Sequence, residues 1–181
     1  MITERAHGGW SNCCASRRRE SMLKIVPFNA SHLQEIAALE RECFSIPWSA
    51  SMFEEELKST LAHYFVALQD GEVIGYAGMW KILDEGHITN IAVSPRCRTR
   101  GIGGKLLETL ISLAAQFQLS VLLLEVRESN AAARSLYAKR GFVQTGLRKG
   151  YYHDNHENAV LMTLTARDSA STPQDAPFRK E

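Results

Sequence analysis

The stretch RTRGIGGKLLETL, Arg98 to Leu110, decides how the whole chain is read. Gly101, Gly103 and Gly104 stand directly before a run with helical spacing. The start of a helix carries unpaired N–H groups and the positive end of the helix dipole, so it attracts anions, phosphate above all. Glycine lets a ligand come close to the backbone. Two familiar phosphate loops fail here. Gly104-Lys105 is followed by Leu106, so the magnesium-binding hydroxyl of a Walker A loop is missing. The third glycine of a dinucleotide fingerprint would fall at Leu106, so that pattern fails too. A phosphate cradle of another kind remains, beside the plainer reading of a loop that only opens a core helix.

Working outward, GHITNIAVS precedes the loop and reads as a strand. The helix behind the glycines sets Ile102, Leu106, Leu110, Ala114 and Phe117 on one stripe. VLLLEV follows as a continuous apolar run, which predicts a strand buried on both faces. A right-handed crossover makes these two strands parallel neighbours, and ligands favour the C-terminal ends of such strands. Upstream, Leu23 to Phe28 alternates like a strand. Ser31 to Phe44 is helical, with Leu33, Ile36, Ala37 and Cys43 on one face. SIPWS breaks it, and Ser49 caps a second helix running to about Lys58. HYFVALQDGEVIGYAGMWKI is a hairpin around Asp70-Gly71. Downstream, NAAARSLYAKRGF is a helix stopping at Gly141. FVQTGLRKGYY and NAVLMTLTA close the chain as an antiparallel pair. The order predicts a mixed α/β fold.

The 181 residues suit one domain with a substantial core, and 45% hydrophobic with 23% charged residues is ordinary globular composition. A net charge of +1 makes no electrostatic case for nucleic-acid or membrane binding. No apolar run approaches the roughly 20 residues of a membrane span, and the N-terminus has no apolar segment of the signal-peptide type. Cys13, Cys14, Cys43 and Cys97 form no zinc pattern, and they fit a reducing, cytoplasmic setting. His153 and His156 lack a third ligand at a sensible spacing, so no metal is expected. Residues 1–21 show no periodicity and read as a disordered extension; 167–181 read as a flexible tail. The domain is expected to span 22–166.

RTRGIGG placed after the fourth strand resembles the GNAT acetyltransferase family. There an Arg/Gln-x-x-Gly-x-Gly/Ala loop binds the pyrophosphate of acetyl-CoA, and Arg98, Gly101 and Gly103 match it. The resemblance covers roughly Leu23 to Ala166. It implies the GNAT fold: a mixed, mostly antiparallel sheet of about seven strands flanked by about four helices. NIAVSP, LLLEVRESNAAARSLYAKRGF, RKGYY and the PWS segment resemble the RimI branch, which acetylates the N-terminal α-amine of a ribosomal small-subunit protein. By resemblance, Thr99, Arg100, Gly101, Ile102, Gly103 and Gly104 form the cradle for the CoA diphosphate, with Arg98 in a direct role. Ile91, Ala92 and Val93 offer backbone hydrogen bonds to the pantetheine arm, and Asn130 touches the cofactor.

Acetyl transfer to an amine needs a proton acceptor, since a free α-amine has a pKa of about 7.7–8.0. Glu125 closes a buried strand, where an unpaired charge is costly. A structural ion pair with Arg127 or Arg134 would explain it; the resemblance instead assigns it the general base. Tyr137 reads either as an amphipathic core tyrosine or, by resemblance, as the acid that protonates the departing thiolate. The resemblance also gives the Val93 N–H a part in polarising the thioester carbonyl. Trp48, Tyr151 and Tyr152 fall where the family builds its acceptor groove, and each could equally be packing. HDNHE departs from the branch. The expectation is a cytoplasmic monomer that acetylates the N-terminal alanine of a ribosomal protein. The rivals are a lysine or small-amine acetyltransferase, with Glu54-Glu55-Glu56 as a weak hint of a polyamine, a non-catalytic acyl-CoA-binding module, and a subunit of a larger modification complex.

Overall fold

The computed structural model describes residues 22–166; the disordered extension expected at 1–21 and the tail expected at 167–181 lie outside the described residues. Seven strands and four α-helices follow one another as β1 (Leu23–Pro27), α1 (Leu33–Cys43), α2 (Ala50–Lys58), β2 (Ala62–Gln69), β3 (Glu72–Ile82), β4 (Glu85–Val93), α3 (Ile102–Gln116), β5 (Val121–Arg127), α4 (Ala131–Ala138), β6 (Val143–Arg148) and β7 (Ala159–Thr165). They build one sheet in the order β1-β2-β3-β4-β5-β7-β6. Among the described residues only β4 and β5 pair in parallel. The expected mixed, mostly antiparallel seven-stranded sheet with four helices is the one observed.

Local chemistry sets the elements. Asp70 and Gly71 both take positive φ (54° and 91°), which the tight β2–β3 hairpin requires. The Ser49 hydroxyl accepts the Met52 N–H (3.3 Å) and starts α2, and the Asn130 side chain accepts the Ala133 N–H (3.1 Å) and starts α4. The helices cover both faces of the sheet. Ile36, Leu39 and Phe53 of α1 and α2 pack with Phe28, Tyr64, Val66, Tyr76 and Ala92 on one face. Ile102, Leu106, Leu107 and Leu110 of α3 and Tyr137 of α4 pack with Ala77, Met79, Ile88, Leu122, Leu124 and Val126 on the other.

Three expectations change. β5 is not buried on both faces: Leu122, Leu124 and Val126 are buried, while the residues between them are half-exposed. β6 stops at Arg148 rather than running through Tyr152, because Gly150 turns the chain with φ 60° and its N–H bonds the Asn158 side chain (3.0 Å). Phe117 caps α3 rather than lying within it, and its ring packs on His63 and Lys81.

The feature that makes room for a ligand is a split. β4 pairs with β5 only from Glu85↔Val121 to Ile88↔Leu124. Beyond that, β4 stays on β3 and β5 stays on β7. The cause is a bulge. Gly78 faces Asn90 and Met79 faces Ile88, so Thr89 is an extra residue on β4. Bulges bend a strand and sharpen its twist, and this one falls where the parallel pairing ends.

The bulge is pinned from below. The Tyr64 ring lies over bare Gly78, and its hydroxyl bonds the Thr89 hydroxyl (2.9 Å). Phe28, Phe53 and Tyr76 surround Tyr64, so it has nowhere to retreat. A Cβ at position 78 would overlap the ring. Gly78→Ala is therefore expected to destabilise the fold by about 1–3 kcal/mol through overpacking. Urea unfolding checks it; wild-type stability would mean that Tyr64 does not hold the bulge.

Candidate active site

The split opens into two adjoining cavities. One, of about 750 Å³, lies between the end of β4, the glycine loop and α4. The other, of about 450 Å³, lies between α1, the loop after it, the bulge of β4 and the end of β5. Cys43, Phe44, Ile91, Asn130 and Tyr137 line both and mark their junction.

The glycine loop lines the larger cavity. Gly101 caps α3 at φ 78°, and the first intrahelical bond runs from the Lys105 N–H to the Gly101 carbonyl (3.1 Å). The N–H groups of Ile102, Gly103 and Gly104 thus have no helical partner. A Cβ at Gly103 would meet Leu136 and Val93 only at 3.5 and 3.7 Å, ordinary contact distances. The protein itself does not require a glycine there, which fits a backbone kept bare for a ligand. Thr99 takes a positive φ of 63° and donates its hydroxyl to the Arg98 carbonyl (2.6 Å). Thr99, Gly101, Ile102, Gly103 and Gly104 all line this cavity; exposed Arg100 lines neither. Arg98 reaches it too, but its Nε donates to the Val93 carbonyl (3.2 Å) and its Nη2 to Cys43 Sγ (3.8 Å). Arg98 therefore braces the end of β4.

The open edge of β4 follows from its register. Ser94 N–H bonds the Ile74 carbonyl (2.9 Å). By antiparallel alternation Ala92 turns its backbone groups toward Tyr76 of β3, while Ile91 and Val93 turn theirs to the split. Ala92 lines the larger cavity, but its N–H and carbonyl belong to the β3 ladder. Asn130 lines both cavities while its side-chain oxygen caps α4.

Glu125 is the first residue of β5 beyond the last pairing with β4. Leu124 and Val126 on either side face the α3 core, so the Glu125 side chain lies on the α1–α2 face. Its ion-pair partner is Arg148 (2.7 Å), not the expected Arg127 or Arg134. It also hydrogen-bonds Tyr151, and that contact raises the Tyr151 phenol above its ordinary range. Tyr137 approaches the split from the opposite face, on α4. It is buried, and burial pushes its phenol up to about 12. A proton acceptor and a protonated phenol thus meet the split from its two sides.

The smaller cavity is walled by Trp48, Tyr152 and Arg127. Trp48 packs on Phe53, with ring centroids 5.4 Å apart. Tyr152 lies under the Arg127 guanidinium at 3.8 Å, whereas Tyr151 is exposed, lines neither cavity and packs edge-on to Tyr152. The HDNHE loop has a visible task. Asp154 accepts from Arg127 (2.8 Å) and from the Ser45 hydroxyl (2.7 Å), tying the β6–β7 loop to the loop after α1. Glu157 accepts from Arg127 (3.3 Å) and from the Ser129 N–H (2.6 Å), and the Ser129 bonds hold its carboxyl at about 2. The acidic run at 54–56 faces elsewhere: Glu54 and Glu55 pair with Lys58, and Glu56 accepts from the Trp80 indole (2.6 Å).

Sequence reasoning missed Glu40. It sits on the buried face of α1 and lines the smaller cavity. Its charge disguised it, because a lone Glu at a helix interior reads as surface. Its position between buried Ala37 and half-buried Cys43 was the available signal.

The profile of the Acetyltransferase (GNAT) family matches residues 33–142. A Bacillus subtilis protein provisionally named a [ribosomal protein bS18]-alanine N-acetyltransferase is 37% identical over 137 residues, covering 75% of this chain and 91% of its own length. The Escherichia coli K12 [ribosomal protein bS18]-alanine N-acetyltransferase is 36% identical over 128 residues, covering 70% and 86%. A crystal structure of the Escherichia coli ribosomal-protein-S18-alanine N-acetyltransferase superposes with a TM-score of 0.75 at 32% identity, over 87% of this chain and all of that one. With its glycine loop, its open β4 edge and these relatives, the chain belongs to the GNAT family of acetyl-CoA-dependent N-acetyltransferases.

Proposed function

We propose that the protein transfers an acetyl group from acetyl-CoA to the N-terminal α-amine of a protein, the N-terminal alanine of a ribosomal small-subunit protein. The relatives bearing that activity in their names support the acceptor. The observation that carries the chemistry is the split, which lets Glu125 and Tyr137 face it from opposite sides of the sheet. The setting is a cytoplasmic monomer without membrane or nucleic-acid contact. The free thiols of Cys43 and Cys97 and the near-zero net charge support this, and among the described residues no helix is long and apolar enough to cross a membrane.

Acetyl-CoA supplies an activated thioester. The N–H groups of Ile102 to Gly104 and the α3 dipole hold its diphosphate, and the Ile91 and Val93 backbone receives its pantetheine arm. Glu125, oriented by Arg148 and Tyr151, removes the proton from the acceptor amine, directly or through a water. The Val93 N–H donates to the carbonyl oxygen as negative charge develops on it. Tyr137 acts as the acid toward the departing sulfur. At about 12, its phenol holds the proton more firmly than a thiol near 8.5, so the proton is shared in a hydrogen bond to the developing thiolate. Attack is direct. Cys43 lines the junction, but its Sγ–H donates to the Val93 carbonyl (3.6 Å) and burial raises its pKa, so it stays a thiol.

Incubation with acetyl-CoA and an acceptor panel, read by mass spectrometry, tests the reading. The expected outcome is acetylation of Ala-starting ribosomal peptides at the α-amine only, with N-blocked peptides, internal lysines and polyamines unmodified. Modified lysine or polyamine would overturn the acceptor assignment. Glu125→Gln is expected to lower kcat about 10²–10⁴-fold, with acetyl-CoA binding retained; an unchanged kcat would remove Glu125 from the mechanism. Tyr137→Phe should lower kcat by a constant factor between about pH 6 and 10, because the phenol stays protonated until about 12; a factor that varied across that range would place the titrating acid elsewhere. Gly103→Ala should separate fold from function: thermal stability equal to or above wild type, since Ala favours a helix by about 1 kcal/mol over Gly, but weaker acetyl-CoA binding by calorimetry. Unchanged binding would sink the account of the cradle.

A further inference from the structure

Glu40 is 1% exposed, and it is the one buried carboxylate among the described residues. Both of its oxygens are engaged. The Tyr76 hydroxyl donates to Oε1, and the Trp48 N–H donates to Oε2 (2.9 Å). Asn90 Nδ2 donates in turn to the Tyr76 oxygen (2.9 Å). The Tyr76 hydroxyl and the Trp48 N–H are both donors directed toward Glu40, an arrangement suited to a charged carboxylate. Neutral donors satisfy its oxygens without cancelling its charge. Among the described residues no arginine, lysine or histidine forms an ion pair with it, and burial raises its pKa. A buried anion normally has a counter-ion beside it.

Glu40 lines the same cavity as Glu125, and there the two carboxylates differ. Glu125 already has a cation in Arg148. Glu40 has none, at the floor of the cavity assigned to the acceptor. A protein N-terminus with a pKa of about 7.7–8.0 arrives largely as an ammonium ion.

We propose that Glu40 is the counter-charge for the acceptor's α-ammonium: its buried carboxylate draws that cation into the smaller cavity and holds it there for Glu125 to deprotonate. The inference rests on the reading of the acceptor as a protein N-terminus. It divides the work between two carboxylates, one binding the charge and the other removing the proton. It also accounts for product release. The acetylated terminus is a neutral amide, so the attraction that admits the substrate is gone once the transfer is complete.

The test compares two ligands on the protein saturated with coenzyme A. One is an Ala-starting ribosomal peptide and the other is the same peptide already N-acetylated, each titrated by calorimetry at about pH 6.5, where the amine is charged. Wild type should prefer the free-amine peptide. Glu40→Gln should lose roughly tenfold or more in affinity for it, as expected for a charge pair in a partly desolvated site, and bind the acetylated peptide as wild type does. Equal losses for both peptides would make Glu40 a shaping residue only and overturn the proposal. An unchanged preference would overturn it too. Glu40→Met, neutral and similar in volume, serves as a second variant, with thermal melts reporting which is folded. If neither neutral side chain folds, the carboxylate is a requirement of the fold, and that also counts against the proposal. The wild-type acetylation assay keeps the two ideas apart. If wild type does not acetylate the free-amine peptide, the acceptor reading fails; if it does and Glu40→Gln keeps the preference, only this inference fails.

Discussion

The parting of β4 from β5 is the constraint on which the rest of this structure depends. Two parallel strands at the centre of a sheet ordinarily satisfy one another along their whole length. Here they do so for four residue pairs and then separate. The backbone groups of Ile91 and Val93 are left without a neighbouring strand, in the middle of the molecule rather than at its margin. An unpaired inner edge of this kind is expensive unless something fills it. The extended arm of a thioester donor is chemically suited to do so, with amides that can bond a strand as another strand would.

The elements around the split are arranged to keep it open. The extra residue at Thr89 bends β4, and Tyr64 anchors that residue through its hydroxyl. Tyr76 anchors the next one, Asn90, and is itself tied to Glu40. Glu40 also takes the backbone of Trp48, so the bulge and the acceptor wall share one buried polar group. Arg98 holds the far end of β4 by its last carbonyl. Each tether is polar and directional, and each sits where apolar packing alone would let the strands close up.

Much of this was legible in the sequence, and the boundary of what was legible has physical causes. Periodicity placed the strands and helices, because a face of α3 or β3 must alternate or repeat to bury itself. The glycine loop stood out because three glycines precede a helix, but the glycines alone left a plain helix-opening loop equally open, and the resemblance supplied the phosphate reading. The roles proposed for Glu125 and Tyr137 come only through resemblance; nothing local distinguishes a base from a buried ion pair. What the sequence hid was long-range pairing. That Arg148 rather than Arg127 meets Glu125 depends on β6 and β5 being brought together through β7. That Ala92 faces β3 while its neighbours face the cleft depends on a register, which composition does not specify. The departure at HDNHE was visible, but that Asp154 and Glu157 meet Arg127 was not, because the pairing crosses from the β6–β7 loop to the end of β5.

The two cavities draw on the chain in different ways. The donor side comes mainly from two runs, the end of β4 with the glycine loop and the start of α3, and Asn130 with α4. The acceptor wall is assembled from three separate segments, and its bridge from Ser45 to Asp154 joins residues 109 positions apart. A lineage can therefore rewrite either loop by small insertions or exchanges and redirect which chain ends are modified, while the inherited thioester chemistry stays untouched. Variation among descendants of such a protein should gather in residues 44–48 and 151–157, and the machinery between them should drift slowly. In this architecture, changing clientele is evolutionarily cheap and changing chemistry is not.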